Sequence, residues 1–300
     1  HFEVRRRGGW GWGEKQTLKA VDGVSFEIGR GETLGLVGES GCGKTTTGRL
    51  IIRLVDATGG AVHLGDSPNL LEIPQRRWKP YRRRIQMIFQ DPYSSLNPRM
   101  TIGATVGEAL TIHNLAKGRR RERVAELLED VGLPADAANR YPHEMSGGQR
   151  QRVGVARALA VEPELIIADE PVSALDVSIQ AQVINMLQDL RERHGLAYLF
   201  ISHDLSVVGH MCRRVAVMYL GRIAEIGPRD GIFNEPLHPY TQILLEAVPK
   251  MDPESGVRKI ALEGDVPSPI DPPPGCPFHP RCPRAMAACR EVTPQLKEHR

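Results

Sequence analysis

The sequence predicts an α/β protein: a sheet with helices on its faces, a helical insertion between strands, and an irregular C-terminal tail. Three observations carry that expectation. Short apolar runs suited to buried strands alternate with segments whose apolar residues recur at helical spacing. One such strand runs through a glycine-rich loop into a helix, within residues 33–55. From Pro249 onward the patterning fades, and eight prolines crowd between Pro267 and Pro283, too many for a helix or a central strand.

Taken in order, the chain opens on a Gly- and Trp-rich tip (Gly8 to Gly13), then Val24 to Ile28 alternates apolar and polar as a strand does. Trp10 and Trp12 have the rings to stack on an adenine, but a surface or packing role is favoured. Thr33 to Val37 reads as a buried strand, and Lys44 to Val55 as a helix with Leu50, Ile51 and Leu54 on one face. Turn signals at Thr58-Gly59-Gly60 and Ser67-Pro68-Asn69 flank a short strand at Ala61 to Leu64, and Arg84 to Phe89 is a further strand ending at Gln90. The surrounding Arg76, Arg77, Arg82, Arg83 and Arg84 read as a solvated face, because no aromatic-interleaved nucleic-acid module accompanies them. Helices follow at Ile102 to Leu115 and Arg119 to Val131, the second ended by Gly132-Leu133-Pro134. Ser146 caps a helix running to Leu159. Leu165 to Glu170 is an apolar strand closed by two acids, and Ile179 to His194 an amphipathic helix stopped by Gly195. Strands at Ala197 to Ile201 and Val215 to Leu220 come next, and Gly221 turns the chain into Arg222 to Ile226.

Composition narrows the classes. With 300 residues, 41% of them hydrophobic and 25% charged, the chain forms one large domain or two modest ones. Lys and Arg (39) barely exceed Asp and Glu (36), too small a surplus to argue for nucleic acid. No apolar run approaches a membrane span, and no signal peptide is visible. The chain begins at His1, so a preceding stretch is expected. Five cysteines, three of them near the C-terminus, suit a reducing cytosolic setting better than a disulfide framework.

The chemistry starts at Gly38-Glu39-Ser40-Gly41-Cys42-Gly43-Lys44-Thr45, which reads G-x-x-x-x-G-K-[ST] between a strand and a helix. Glycines there let backbone N–H groups turn inward around phosphate oxygens, and the helix that follows presents its positive end. Lys44 is placed for the β- and γ-phosphates and the Thr45 hydroxyl for Mg²⁺. Asp169 and Glu170 divide two tasks: Asp169 holds Mg²⁺ through its shell, and Glu170 orients and deprotonates a water. Ser146-Gly147-Gly148-Gln149 opens a helix and is a second anion site, which one chain with one phosphate loop does not obviously need.

Two chains facing head to tail would use it, each completing the other's pocket, and here the sequence resembles the ATP-binding cassette (ABC) ATPases. Met145-Ser146-Gly147-Gly148-Gln149 resembles their signature, in which Leu usually stands where Met145 does. Ser173-Ala174-Leu175-Asp176 resembles their D-loop, His203 their switch histidine and Gln90 their Q-loop glutamine. The resemblance implies a P-loop nucleoside triphosphatase fold of the ABC type over 1–248, a helical subdomain at about 91–160, and a tail at 249–300. It implies that Gly38 to Thr46 cradles ATP and that Gln90 senses Mg²⁺ and the attacking water. Glu170 is then the general base and His203 the γ-phosphate contact. Ser146, Gly147, Gly148 and Gln149 act on the partner's ATP.

Gln90-Asp91-Pro92-Tyr93-Ser94-Ser95-Leu96-Asn97-Pro98-Arg99-Met100, His238-Pro239-Tyr240-Thr241 and Gly275-Cys276-Pro277-Phe278-His279-Pro280-Arg281-Cys282-Pro283 are similar to one branch of the family: the ATP-binding subunits of bacterial oligopeptide/dipeptide importers. That resemblance implies a peripheral subunit on the cytoplasmic face of the membrane. Its implied partners are a second, non-identical ATPase subunit, two permease subunits and an extracytoplasmic peptide-binding protein, with no nucleic acid. Nickel or a glutathione-like solute stays open as cargo. Cys276, Cys282 and Cys289 are thiols in a proline-stiffened loop. The branch implies a [4Fe–4S] cluster there with a fourth ligand past Arg300; a Zn²⁺ site completed by His279 and metal-free thiols are the alternatives. Cys42 and Cys212 read as small residues that fit. Among other classes, DNA-repair cassettes need long coiled coils that the interval from Lys44 to Ser146 cannot hold. Ribosome-acting cassettes usually come two to a chain. A soluble cassette ATPase with a metal-sensing tail is the remaining alternative.

Overall fold

The structure is a computed structural model that describes residues 1–5, 15–91, 93–247 and 265–299. Trp10, Trp12 and the boundary between 248 and 249 lie outside the described residues. In chain order the elements are β1 (Phe2–Arg5), β2 (Lys15–Leu18), β3 (Thr33–Val37), α1 (Lys44–Ile51), α2 (Lys79–Arg84) and β4 (Ile85–Ile88). Next come α3 (Ile102–Ile112), α4 (Arg120–Asp130), α5 (Gly147–Leu159), β5 (Leu165–Asp169), α6 (Val177–His194) and β6 (Ala197–Ile201). Last are α7 (Leu205–Met211), β7 (Arg214–Tyr219), β8 (Arg222–Pro228), α8 (Arg229–Asn234) and α9 (Pro239–Glu246). The α/β class read from the sequence is the fold observed.

The chain divides into two compact units. One comprises His1–Glu27, Leu34–Gly60 and His203–Arg300. In it β3 runs parallel to β7, with Leu34 opposite Arg214 and Val37 opposite Val217, and β8 returns antiparallel to β7. Every residue of β3 is buried, as are Val215 to Tyr219 of β7. Strands covered on both faces need apolar side chains in both directions, which is why these read as unbroken apolar runs. Gly35 allows α7 to approach β3: a Cβ there would come within 2.7 Å of Val208 and 3.0 Å of Cys212. Cys212 is thus the small buried residue expected, although it caps α7 from just beyond its end.

The other unit comprises Ile28–Thr33 and Ala61–Ser202. Here β4, β5 and β6 are parallel, with Ile85 opposite Leu165 and Leu165 opposite Ala197. Helices α3, α4 and α5 form the insertion, and Ile102, Val106, Leu110, Leu127, Leu128 and Val153 are fully or almost fully buried. Thr101 caps α3 by accepting the Ala104 N–H at 3.2 Å. α6 buries Val183, Ile184, Met186, Leu187 and Leu190, and stops where Gly195 adopts φ 64°. Three arginines of the cluster have side-chain partners. Arg83 meets Glu162 at 3.0 Å, Arg84 forks onto Glu164, and Arg82 donates to Gln75.

Three expectations are corrected. Val24 to Ile28 keeps its alternating exposure but is not a strand; the Glu27 carbonyl instead accepts from Arg214 at 3.3 Å. Ala61 to Leu64 is a loop, closed by the Asn69 carboxamide accepting the Val62 N–H at 3.1 Å and by the Leu70 N–H donating to the Val62 carbonyl. α1 ends at Ile51 rather than Val55, because Arg53 turns left-handed (φ 53°) and leaves Leu54 exposed.

α9 carries a pH-sensitive cap. His238 Nδ1 accepts the Tyr240 N–H at 3.1 Å, and burial holds this imidazole below the usual histidine range, against the pull of Glu225. The folded state therefore takes up the proton less readily than the unfolded chain. This stability is complete above the ordinary value of 6.5 and is lost as the pH falls below it. The melting temperature is expected to drop on acidification through this window. His238→Asn keeps a capping oxygen and should flatten the dependence; the same slope in that variant would contradict the assignment.

Candidate nucleotide site

The phosphate loop is built by three glycines at positive φ: Gly38 (149°), Gly41 (80°) and Gly43 (110°). A Cβ on Gly38 would lie 2.2 Å from the Met218 carbonyl, and one on Gly43 2.1 Å from the Ala20 carbonyl, so only glycine passes between these backbones. Around Gly41 there is open space. Lys44 is 5% exposed and folds its ammonium back over the loop, donating to the Gly38 carbonyl at 2.7 Å and the Glu39 carbonyl at 3.0 Å. Thr47 donates to the Gly43 carbonyl at 3.0 Å, and the Gly221 N–H holds the Cys42 carbonyl at 2.9 Å. Cys42 is buried. Burial pushes its thiol up and the Lys44 ammonium opposes the shift. Ser40, Thr45 and Thr46 complete the loop and the first turn of α1. This loop has the backbone freedom, the ammonium and the helix start that a polyphosphate needs.

In the second unit the two acids lie at the end of β5. Asp169 ends β5 at 1% exposure, and Glu170 follows in the left-handed region at φ 46°. Its N–H donates to the Ile201 carbonyl at 2.9 Å, so the turn is tied to β6. Gln90, beyond β4, donates through Nε2 to Glu170 Oε2 at 2.8 Å. Two residues 80 apart in sequence are thereby joined at one carboxylate. The Asp169 carboxylate and the Gln90 carboxamide in this unit are each hard oxygen donors of the type Mg²⁺ takes, as the Thr45 hydroxyl is in the other.

Ser146 and Gln149 cap α5 reciprocally. The Ser146 hydroxyl accepts the Gln149 N–H at 3.3 Å, and Gln149 Oε1 accepts the Ser146 N–H at 3.0 Å. Gly148 meets α6 closely, since a Cβ there would come 2.5 Å from Ile179 Cγ2. Met145, which departs from the usual leucine, is 3% exposed and fills the same apolar role. Arg150 holds the segment before the helix through the Pro142 carbonyl at 2.7 Å and the Met145 carbonyl, with the Tyr93 ring 3.7 Å away.

Ser173, Ala174, Leu175 and Asp176 lead from Glu170 into α6. Ser173 donates its N–H and hydroxyl to the Glu170 carbonyl at 3.2 and 3.1 Å. Gln180 clamps this turn from α6, donating to the Val172 and Leu175 carbonyls at 3.1 and 3.0 Å. Sequence reasoning missed Gln180, because a polar residue on an exposed helical turn carries no signal of its own. His203 is exposed and immediately precedes Asp204, whose carboxylate caps α7 through the Ser206 N–H at 2.8 Å.

The tail folds as irregular chain with two single-turn segments, His279–Arg281 and Ala287–Arg290, in its described part. The Cys276 N–H donates to the Cys289 carbonyl at 2.8 Å, and burial raises the Cys276 thiol. Among the described residues no group of three His, Cys, Asp or Glu side chains is disposed to hold a metal ion. Cys276, Cys282 and Cys289, with or without His279, do not as placed form a metal centre.

Sheet, loop and closing acids define a P-loop nucleoside triphosphatase. Comparison with known proteins narrows this. Residues 21–173 match the ABC transporter family, and residues 224–289 match the oligopeptide/dipeptide transporter C-terminal region. The chain belongs to the ATP-binding proteins of the ABC transporter family. It is 56% identical to the oligopeptide transport ATP-binding protein AppF of Bacillus subtilis, over 94% of this chain and 86% of that one. Among solved structures it resembles a dimeric ATP-binding cassette in a post-hydrolysis state bound to ADP and Pi (TM-score 0.64, 28% identity, 76% of this chain and 96% of that one). It also resembles cbiO1 of Clostridium perfringens, part of an ABC transporter complex (TM-score 0.66, 25% identity, 78% and 90%). No helix among the described residues is long and apolar enough to cross a membrane.

Proposed function

We propose that this protein is the ATP-hydrolysing subunit that energises import of peptides through membrane permease subunits. The carrying observation is identity of more than half over nearly the whole chain to oligopeptide-transport ATP-binding proteins, with the C-terminal match included. The two alternatives, another small solute and a soluble metal-sensing ATPase, have no comparable support.

Residue roles follow from chemistry. Gly38, Glu39, Ser40, Gly41, Cys42, Gly43, Lys44, Thr45 and Thr46 bind the triphosphate through backbone N–H groups, the ammonium and hydroxyls. Thr45, Asp169 and Gln90 offer the oxygens for Mg²⁺, which when bound neutralises phosphate charge. Glu170 takes the proton of the attacking water, a reading supported by the Gln90 side chain donating to its Oε2. His203 donates toward the γ-phosphate. Ser146, Gly147, Gly148 and Gln149 close on the nucleotide of a second ATPase subunit, with Ser173, Ala174, Leu175 and Asp176 at the junction. The partner is a non-identical homologue, and a peptide-binding protein delivers cargo from outside. The protein then sits peripherally on the cytoplasmic face of the membrane, as two domains at 1–248, with its helical subdomain at about 91–160, and 249–300. Cys276, Cys282 and Cys289 remain candidate iron–sulfur or zinc ligands on residue type and spacing alone, and no step here depends on them. In the reconstituted transporter, peptide with its binding protein is expected to raise ATP hydrolysis severalfold. Equal stimulation by nickel or glutathione, without response to peptide, would refute the cargo class.

A further inference from the structure

The tail reaches the phosphate loop. Arg281 forks the Glu39 carboxylate with N···O distances of 2.8 and 3.0 Å, and its side chain is only 4% exposed against 22% for Glu39. Every polar group of Glu39 is engaged. Its N–H donates to the Tyr240 hydroxyl at 2.9 Å, its carbonyl accepts from Lys44, and its carboxylate takes the Arg281 fork. Phe278, 2% exposed, seats the tail against Tyr240 and Tyr219, at ring centroid distances of 5.3 and 5.2 Å. A carboxylate on the loop that binds phosphates opposes an anionic ligand, and the unlike charge forked onto it removes that opposition. A bidentate guanidinium also fixes the geometry of what it grips, which an ammonium does not.

We propose that Arg281 is a positioning residue of the nucleotide site: it neutralises and anchors Glu39, so that the C-terminal tail sets this chain's affinity for ATP. The proposal rests on the reading of the loop as an ATP site. The test is the Kd of the full chain for Mg-ATP, by titration calorimetry, for wild type, R281M, E39Q and the double variant E39Q/R281M. R281M should raise Kd about tenfold, the scale of losing one partner of a shielded charge pair. The double variant should return to within about threefold of wild type, because the unpaired carboxylate is gone. A double variant as weak as R281M overturns the proposal, since loss of packing alone would not be rescued by removing the carboxylate. Wild-type binding with an unchanged Kd in R281M overturns it too and leaves the ATP reading standing. A wild-type chain that binds no ATP refutes both. Should R281M fail to fold, R281K keeps the charge and loses the fork: a Kd raised severalfold supports the assignment, and an unchanged Kd overturns it.

Discussion

Glu170→Gln is expected to leave ATP binding intact and to slow hydrolysis by about 10²–10⁴-fold, the span attributable to a positioned general base. The substitution is nearly isosteric, so the left-handed turn at φ 46° and the N–H bond to Ile201 can persist. The carboxamide retains an oxygen for the Gln90 donor, so the change removes basicity and little else. Single-turnover hydrolysis measured beside equilibrium ATP binding separates the two effects. Wild-type turnover in this variant would show that Glu170 is not the base. A matching loss of binding would make its role electrostatic rather than catalytic.

Lys44→Met should act on the other quantity. The ammonium is the buried cation of the phosphate loop and holds the Gly38 and Glu39 carbonyls inward. Without it the triphosphate loses a direct charge-assisted bond and the loop loses its internal strap. ATP affinity should fall by about 10²–10³-fold, on the scale of one well-placed donor facing developing or fixed negative charge. The stabilisation that a given ATP concentration adds to the wild type should shrink in step with that loss of affinity, measured against each protein's own nucleotide-free melting temperature. ATP binding close to the wild-type level would remove Lys44 from the site.

What could be read in the sequence divides along physical lines. β3, β5 and β6 were legible because buried parallel strands tolerate few polar residues. α5 was legible because its capping serine and the glutamine three residues later form one short pattern, and the structure bonds them reciprocally. Val24–Ile28 and Ala61–Leu64 misled because alternation and short apolar runs specify half-buried chain without specifying a partner strand. α7, α8 and α9 are six to eight residues long, below the length at which periodicity speaks; packing stabilises them. The Gln90–Glu170 bond was anticipated only as two roles. The Arg281–Glu39 fork was not anticipated, since it joins positions 242 residues apart whose two motifs carry no signal that they meet.

If ATP hydrolysis at Glu170 drives peptide entry, an assembly that binds ATP without hydrolysing it cannot concentrate peptide. The measurement is uptake of a labelled peptide into vesicles that hold the assembled transporter and are loaded with Mg-ATP, with the binding protein outside. Wild type should accumulate peptide above its equilibrium level, and the Glu170→Gln assembly should not, despite binding ATP. Accumulation by the Glu170→Gln assembly equal to that of wild type would show that hydrolysis at Glu170 does not drive entry.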